Sequence, residues 1–122
     1  MRTLVTTPDL LRRAYELLRQ TPPFKGWRLP EAEMILFEVT RARGVYGEYW
    51  YDKARGHVIR VSQARHAYLP GLLATVAHEM IHLRQDIVRA ETPKTHHNAQ
   101  FRRIALLACR THGWDEKLFF FF

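Results

Sequence analysis

Two histidines four residues apart, with a glutamate directly after the first, form the segment His78-Glu79-Met80-Ile81-His82. On a helix that separation is a rotation of only about 40°, so both imidazoles project from one face. Two neutral ring nitrogens placed in this way can bind one zinc ion at about 2.0–2.1 Å each. Glu79 is offset by about 100°, within reach of a metal-associated water without being a ligand itself. A metal lowers the pKa of such a water towards 7, and a carboxylate beside it can accept the proton. With this composition, chance would produce about 0.025 such segments per chain, so accident is a poor explanation. The surroundings also demand a helix. Leu72, Leu73, Val76, Ala77, Met80, Ile81, Ile87 and Val88 recur at helical spacing, which predicts a helix from about Leu69 to Arg89. Met80 and Ile81 fall on its core face and leave the two histidines on the opposite side.

A catalytic zinc site needs a third protein ligand and an open fourth position. His96 and His97 lie 14 and 15 residues beyond His82, and a loop containing Pro93 would return them to the first helix. The next helix is predicted from about His97 to Thr111, with Phe101, Ile104, Ala105 and Ala108 inward and Gly113 as a stop signal. Its packing would fix the direction of His97. Asp86 shares nearly the same helix face as His78 but sits a full turn past His82, and Glu91 is a loop carboxylate; both are weaker rivals. His57, His66 and His112 look peripheral. The lone Cys109 precludes an intramolecular disulfide, has no Cys or His at zinc-finger spacing to point to a Cys-type structural zinc site, and suits a small buried apolar residue in a reducing compartment.

Ahead of the motif the periodicity changes. Pro8-Asp9 opens a helix carrying Leu10, Leu11, Ala14, Leu17 and Leu18, closed by Thr21-Pro22-Pro23. From Met34 to Arg43 the side chains alternate, with Ile35, Phe37 and Val39 on one face; this reads as a strand, with a short helix starting at Glu31 as the alternative for its first residues. Tyr46 to Tyr51 and His57 to Ser62 are two further strands, joined by a turn at Asp52-Lys53-Ala54-Arg55-Gly56. The order helix, three strands, helix, helix predicts an α+β domain with a small, mostly antiparallel sheet.

At 122 residues the chain has the length of one domain, and 47% hydrophobic with 25% charged residues is an ordinary globular composition. The net charge of +7 favours an anionic partner, of which nucleic acid is the commonest. The basic residues are spread along the chain, however, so a well-solvated basic surface explains the charge equally well. No stretch approaches the roughly 20 apolar residues of a membrane span, and the first residues lack the apolar core of a secretory signal. A cytoplasmic protein with no membrane partner is the expectation. The end of the chain, Leu118 to Phe122, is expected to dock into the domain or to mediate dimerisation.

Ala77-His78-Glu79-Met80-Ile81-His82, together with His97-Asn98-Ala99-Gln100-Phe101, resembles the SprT-like family of zinc metallopeptidases, which includes the Spartan-type DNA–protein crosslink proteases. The resemblance covers roughly residues 30 to 115 of the single domain. It implies a zincin-like minimal metalloprotease fold, Zn²⁺ held by His78, His82 and His97, and Glu79 as general base. It selects His97 over His96. Peptide hydrolysis is the implied activity, with a protein or peptide substrate, DNA-associated proteins among the candidates, and DNA as a candidate partner. The strand His57 to Ser62 resembles the family strand that borders the cleft, so the substrate is expected to lie along Val58, Ile59, Arg60 and Val61 as an added strand. Arg60, Tyr49 and Tyr51 are candidates for stabilising the oxyanion. Gln100 stands where the family often has Glu, and the zinc ribbon of many relatives is missing. The short form resembles proteins of phages and prophages, which implies the cytoplasm of a bacterial or phage-infected host cell.

Overall fold

The computed structural model describes residues 5–44, 46–63, 69–89 and 97–119. The first helix, α1 (Pro8–Arg19), forms where its end signals stand. Thr7 is extended at the N-cap and its hydroxyl oxygen accepts from the Leu10 N–H at 3.1 Å; Pro8 opens the first turn, Asp9 lies at the positive end of the helix and Arg19 at the negative end. Leu11, Ala14, Tyr15 and Leu18 make its buried stripe. A short 3₁₀ turn, Ala32–Met34, then leads into β1 (Ile35–Thr40), so Glu31 begins a brief helical turn and the strand follows it.

β2 (Gly47–Asp52) and β3 (Gly56–Ser62) form the expected hairpin. Asp52 accepts from the Ala54 and Arg55 N–H groups at 2.8 and 3.0 Å, and Gly56 takes a φ of 85° that suits glycine. The sheet order is β1-β3-β2, with β3 antiparallel to β2 but parallel to β1. The sheet is therefore mixed rather than mostly antiparallel. The reason lies in the chain between β1 and β2, which crosses the end of β3 instead of turning back beside β1. Ser62 ties that crossing down: its N–H donates to the Tyr46 carbonyl at 2.9 Å and its hydroxyl to the Ala42 carbonyl. Strands two positions apart are separated by roughly 10 Å, a gap that six residues span easily.

One face of the sheet carries Ile35, Phe37, Ile59 and Val61 into the core against α1 and α2 (Leu69–Ile87), with Tyr15 meeting Phe37 edge-on at 5.6 Å. The other face shows Glu38, Glu48, Trp50 and Arg60, with Arg60 ion-paired to Glu38 at 2.9 Å and stacked on Trp50. α2 is not amphipathic in the expected sense. Leu72, Val76, Ala77, Met80, Ile81 and Leu83 are buried, and so are Thr75, His78 and Glu79, because α2 is covered by the sheet and α1 on one side and by α3 (Ala99–His112) and α4 (Glu116–Phe119) on the other. The histidine side of the helix faces protein rather than solvent.

α3 begins at Ala99, two residues after His97. Asn98 is its N-cap, extended, with Oδ1 accepting from the Phe101 N–H at 2.9 Å, and Gly113 closes it at a φ of 74°. Cys109 is buried within α3. No helix among the described residues is long and apolar enough to cross a membrane.

Candidate metal centre

The four-residue spacing of His78 and His82 on α2 puts their rings 5.0 Å apart, and His97 reaches them from the segment just before α3. One side-chain nitrogen from each of the three lies within 4.8 Å of the other two, so His78, His82 and His97 can hold a metal ion. The Nε2 atoms of His78 and His97 are 3.1 Å apart. His96, Glu91 and His66 lie outside the described residues, and so do Phe120 to Phe122.

The donor set fits a cation. Nδ1 of His78 is 3.1 Å from the carbonyl oxygen of Phe119, which can only accept, and a neutral ring that donates to it keeps its lone pair on Nε2. Burial, reinforced by His82 and His97, holds the His78 ring neutral, its pKa lowered to about 2. Two nitrogens bound to one zinc at about 2.0–2.1 Å in tetrahedral geometry stand about 3.3 Å apart, close to the observed 3.1 Å.

Phe101 is the platform of the cluster: its ring lies 4.9 Å from His78, 4.6 Å from His82 and 4.4 Å from His97, stacked on the last at 17°. Gln85 supplies a second support. It is fully buried on α2, and its Nε2 donates to Asn98 Oδ1 at 2.9 Å and to Gln100 Oε1 at 3.3 Å. That bond joins the metal-site helix to the cap residue adjoining His97. Phe101 reads in the sequence only as an inward apolar position, and Gln85 carries no pattern signal at all; both roles come from contacts across the loop.

Glu79 is 2% exposed, and its carboxyl is raised to about 8, chiefly by burial and then by the charge of Glu48. Its Oε2 has no hydrogen-bond partner among the described residues. The neighbouring strand residue is Gly47, where a Cβ would fall 2.8 Å from Thr75 Cγ2, 3.1 Å from Glu79 Oε2 and 3.2 Å from the Arg60 carbonyl oxygen. Glycine at 47 thus keeps a side chain from crowding the Glu79 carboxyl oxygen.

Other expected site residues fall elsewhere. β3 is the central strand, paired along its length with β1 on one side and β2 on the other, and Val58, Ile59 and Val61 are fully buried. No backbone edge remains at Val58 to Val61 for an added strand; the edge strand lying against α2 is β2. Arg60 points to the sheet face away from α2, engaged by Glu38 and Glu48, so it is removed from the oxyanion candidates. The Tyr49 hydroxyl, on the α2 side, donates to Asp86 Oδ2 at 2.9 Å and meets His57 Nδ1 at 2.8 Å. Asp86 stands outside the histidine cluster. Tyr51 is largely exposed and packs edge-on against His57, while His112 bonds the Pro22 carbonyl and stacks on Trp114.

No protein-family model matches the chain, and the search of curated proteins found no match.

Proposed function

We propose that this chain is a zinc-dependent endopeptidase with a minimal zincin-like fold. The convergence of His97 on His78 and His82, beside a buried glutamate on the same helix, carries the reading. The resemblance of the two motif segments to the SprT-like family supports it. His78, His82 and His97 would hold the metal, which would supply Lewis-acid polarisation of a scissile carbonyl and activation of water. Glu79, adjacent to His78, takes the water's proton and returns it to the leaving amine. A peptide substrate would lie extended along β2, the edge strand against α2 among the described residues, with main-chain hydrogen bonds holding it past Gly47. The resemblance extends the substrate class to DNA-associated proteins.

The direct test is cleavage of an unfolded protein by the zinc-loaded chain and by Glu79→Gln. Loss of at least about 100-fold in rate with zinc retained is the expected result; full activity in the variant would remove Glu79 from its role.

A second reading is favoured by charge: a zinc-stabilised, non-catalytic module that binds nucleic acid. Arg19, Lys25 and Arg28 line a concavity of about 530 Å³ that includes no carboxylate, on a chain of net charge +7. Under this reading DNA affinity falls steeply with salt and no peptide bond is cut; salt-independent binding would reject it.

A further inference from the structure

α4 is a single turn, Glu116–Phe119, started by Asp115, whose Oδ1 accepts from the Lys117 N–H at 2.8 Å. The Phe119 N–H donates to the Asp115 carbonyl at 3.0 Å, a bond of α-helical reach. The carbonyls at the end of so short a helix have no partner within it. Phe119 is nevertheless buried, at 1% exposure, its ring 5.9 Å from Trp114 in a near-parallel stack and 5.3 Å from the His78 ring. A buried carbonyl needs a donor, and His78 Nδ1 stands 3.1 Å from this one.

We propose that the Phe119 carbonyl is a positioning group for the histidine cluster: it holds His78 in the Nδ1–H tautomer, with the lone pair of Nε2 turned toward His97. The metal-site consequence rests on the reading under Proposed function; the tautomer does not. A neutral imidazole has one proton to place. With the proton on Nδ1, the buried carbonyl is satisfied and the metal-facing nitrogen is a lone pair. With it on Nε2, a proton points into the cluster while the carbonyl oxygen faces a second lone pair. Partners of this kind on the far nitrogen of a metal-binding histidine typically govern affinity by 10–100-fold. The Phe119 ring acts as the anchor. Seated against Trp114 and His78, it fixes where the carbonyl points, so the end of the described chain completes a site that the helix motif begins 41 residues earlier.

The test combines histidine-nitrogen NMR of the metal-free full chain with zinc competition against a chromogenic chelator. In the wild type, the long-range ¹H–¹⁵N spectrum should show His78 as the Nδ1–H tautomer with a slowly exchanging proton. Phe119→Ala should lose that protection or shift toward Nε2–H, and should bind zinc about 10- to 100-fold more weakly. Phe119→Leu, which keeps an apolar anchor, should retain the tautomer and most of the affinity. Leu18→Ala, a core truncation outside the site, should lower stability without moving either readout. An Nε2–H tautomer in the wild type would overturn the proposal, and so would an unchanged tautomer in Phe119→Ala. If Phe119→Ala does not fold, the wild-type and Phe119→Leu spectra decide. A wild type with the Nδ1–H tautomer but no zinc uptake would defeat the metal reading and leave the hydrogen bond standing.

Discussion

Gly47 and Glu79 face one another with no room for a methyl group between them. Gly47→Ala should destabilise the protein by about 1–3 kcal/mol in urea unfolding, because Thr75 and the β3 backbone leave no easy way to yield. It should also depress cleavage more than global stability would require, since the new methyl sits 3.1 Å from Glu79 Oε2. The buried titratable groups set a pH signature for the metal-free protein. Glu79, raised from 4.5 to about 8, contributes stability that is fully present below about pH 4.5 and is lost as pH rises towards 8. His78, lowered from 6.5 to about 2, contributes stability present above about pH 6.5 and lost as pH falls. Between those limits the two slopes oppose one another. Glu79→Gln should therefore flatten the alkaline decline, measured as the difference between wild-type and variant melting curves from pH 4.5 to 8. An identical pH dependence in the two proteins would contradict the buried-carboxyl picture.

At the level of elements, the junction of α2 with α3 determines whether His97 can join the site. Asn98→Ala removes both the N-cap of α3 and the acceptor for Gln85, so it should cost about 1–2 kcal/mol and weaken zinc binding together. Asn98→Asp keeps a capping oxygen and should restore most of both. Much of this level is legible in the sequence: α1 with Pro8 and Asp9, the turn at Asp52 to Gly56, and α3 with Gly113 behind it all rest on local signals. The insertion of β3 between β1 and β2 is not, because alternation identifies strands but says nothing of which neighbours they choose. That gap is why Val58 to Val61 read as a cleft strand when they form the buried centre of the sheet. The site divides in the same way. His78, Glu79 and His82 are legible from spacing on one helix, and His97 from the resemblance. Gln85, Phe101 and the Phe119 carbonyl act only through contacts between elements, and no pattern along the chain announces them.

Across the whole molecule, the candidate metal centre lies where three packed segments meet: the central helix, the start of α3 and the end of α4. An ion that binds this arrangement and not the unfolded chain stabilises it by mass action, about 2.7 kcal/mol at a free concentration of 100 times Kd. Removal of zinc with a chelator should thus lower the melting temperature by several degrees and loosen α3 and α4 before α1, as read by hydrogen exchange. The most direct measurement is zinc per chain in the purified, zinc-reconstituted protein beside its His97→Ala variant, by elemental mass spectrometry after gel filtration. The account predicts one zinc per chain in the wild type, and loss or strong weakening in the variant. No zinc in the wild type, or equal retention by both proteins, would contradict a centre built from His78, His82 and His97.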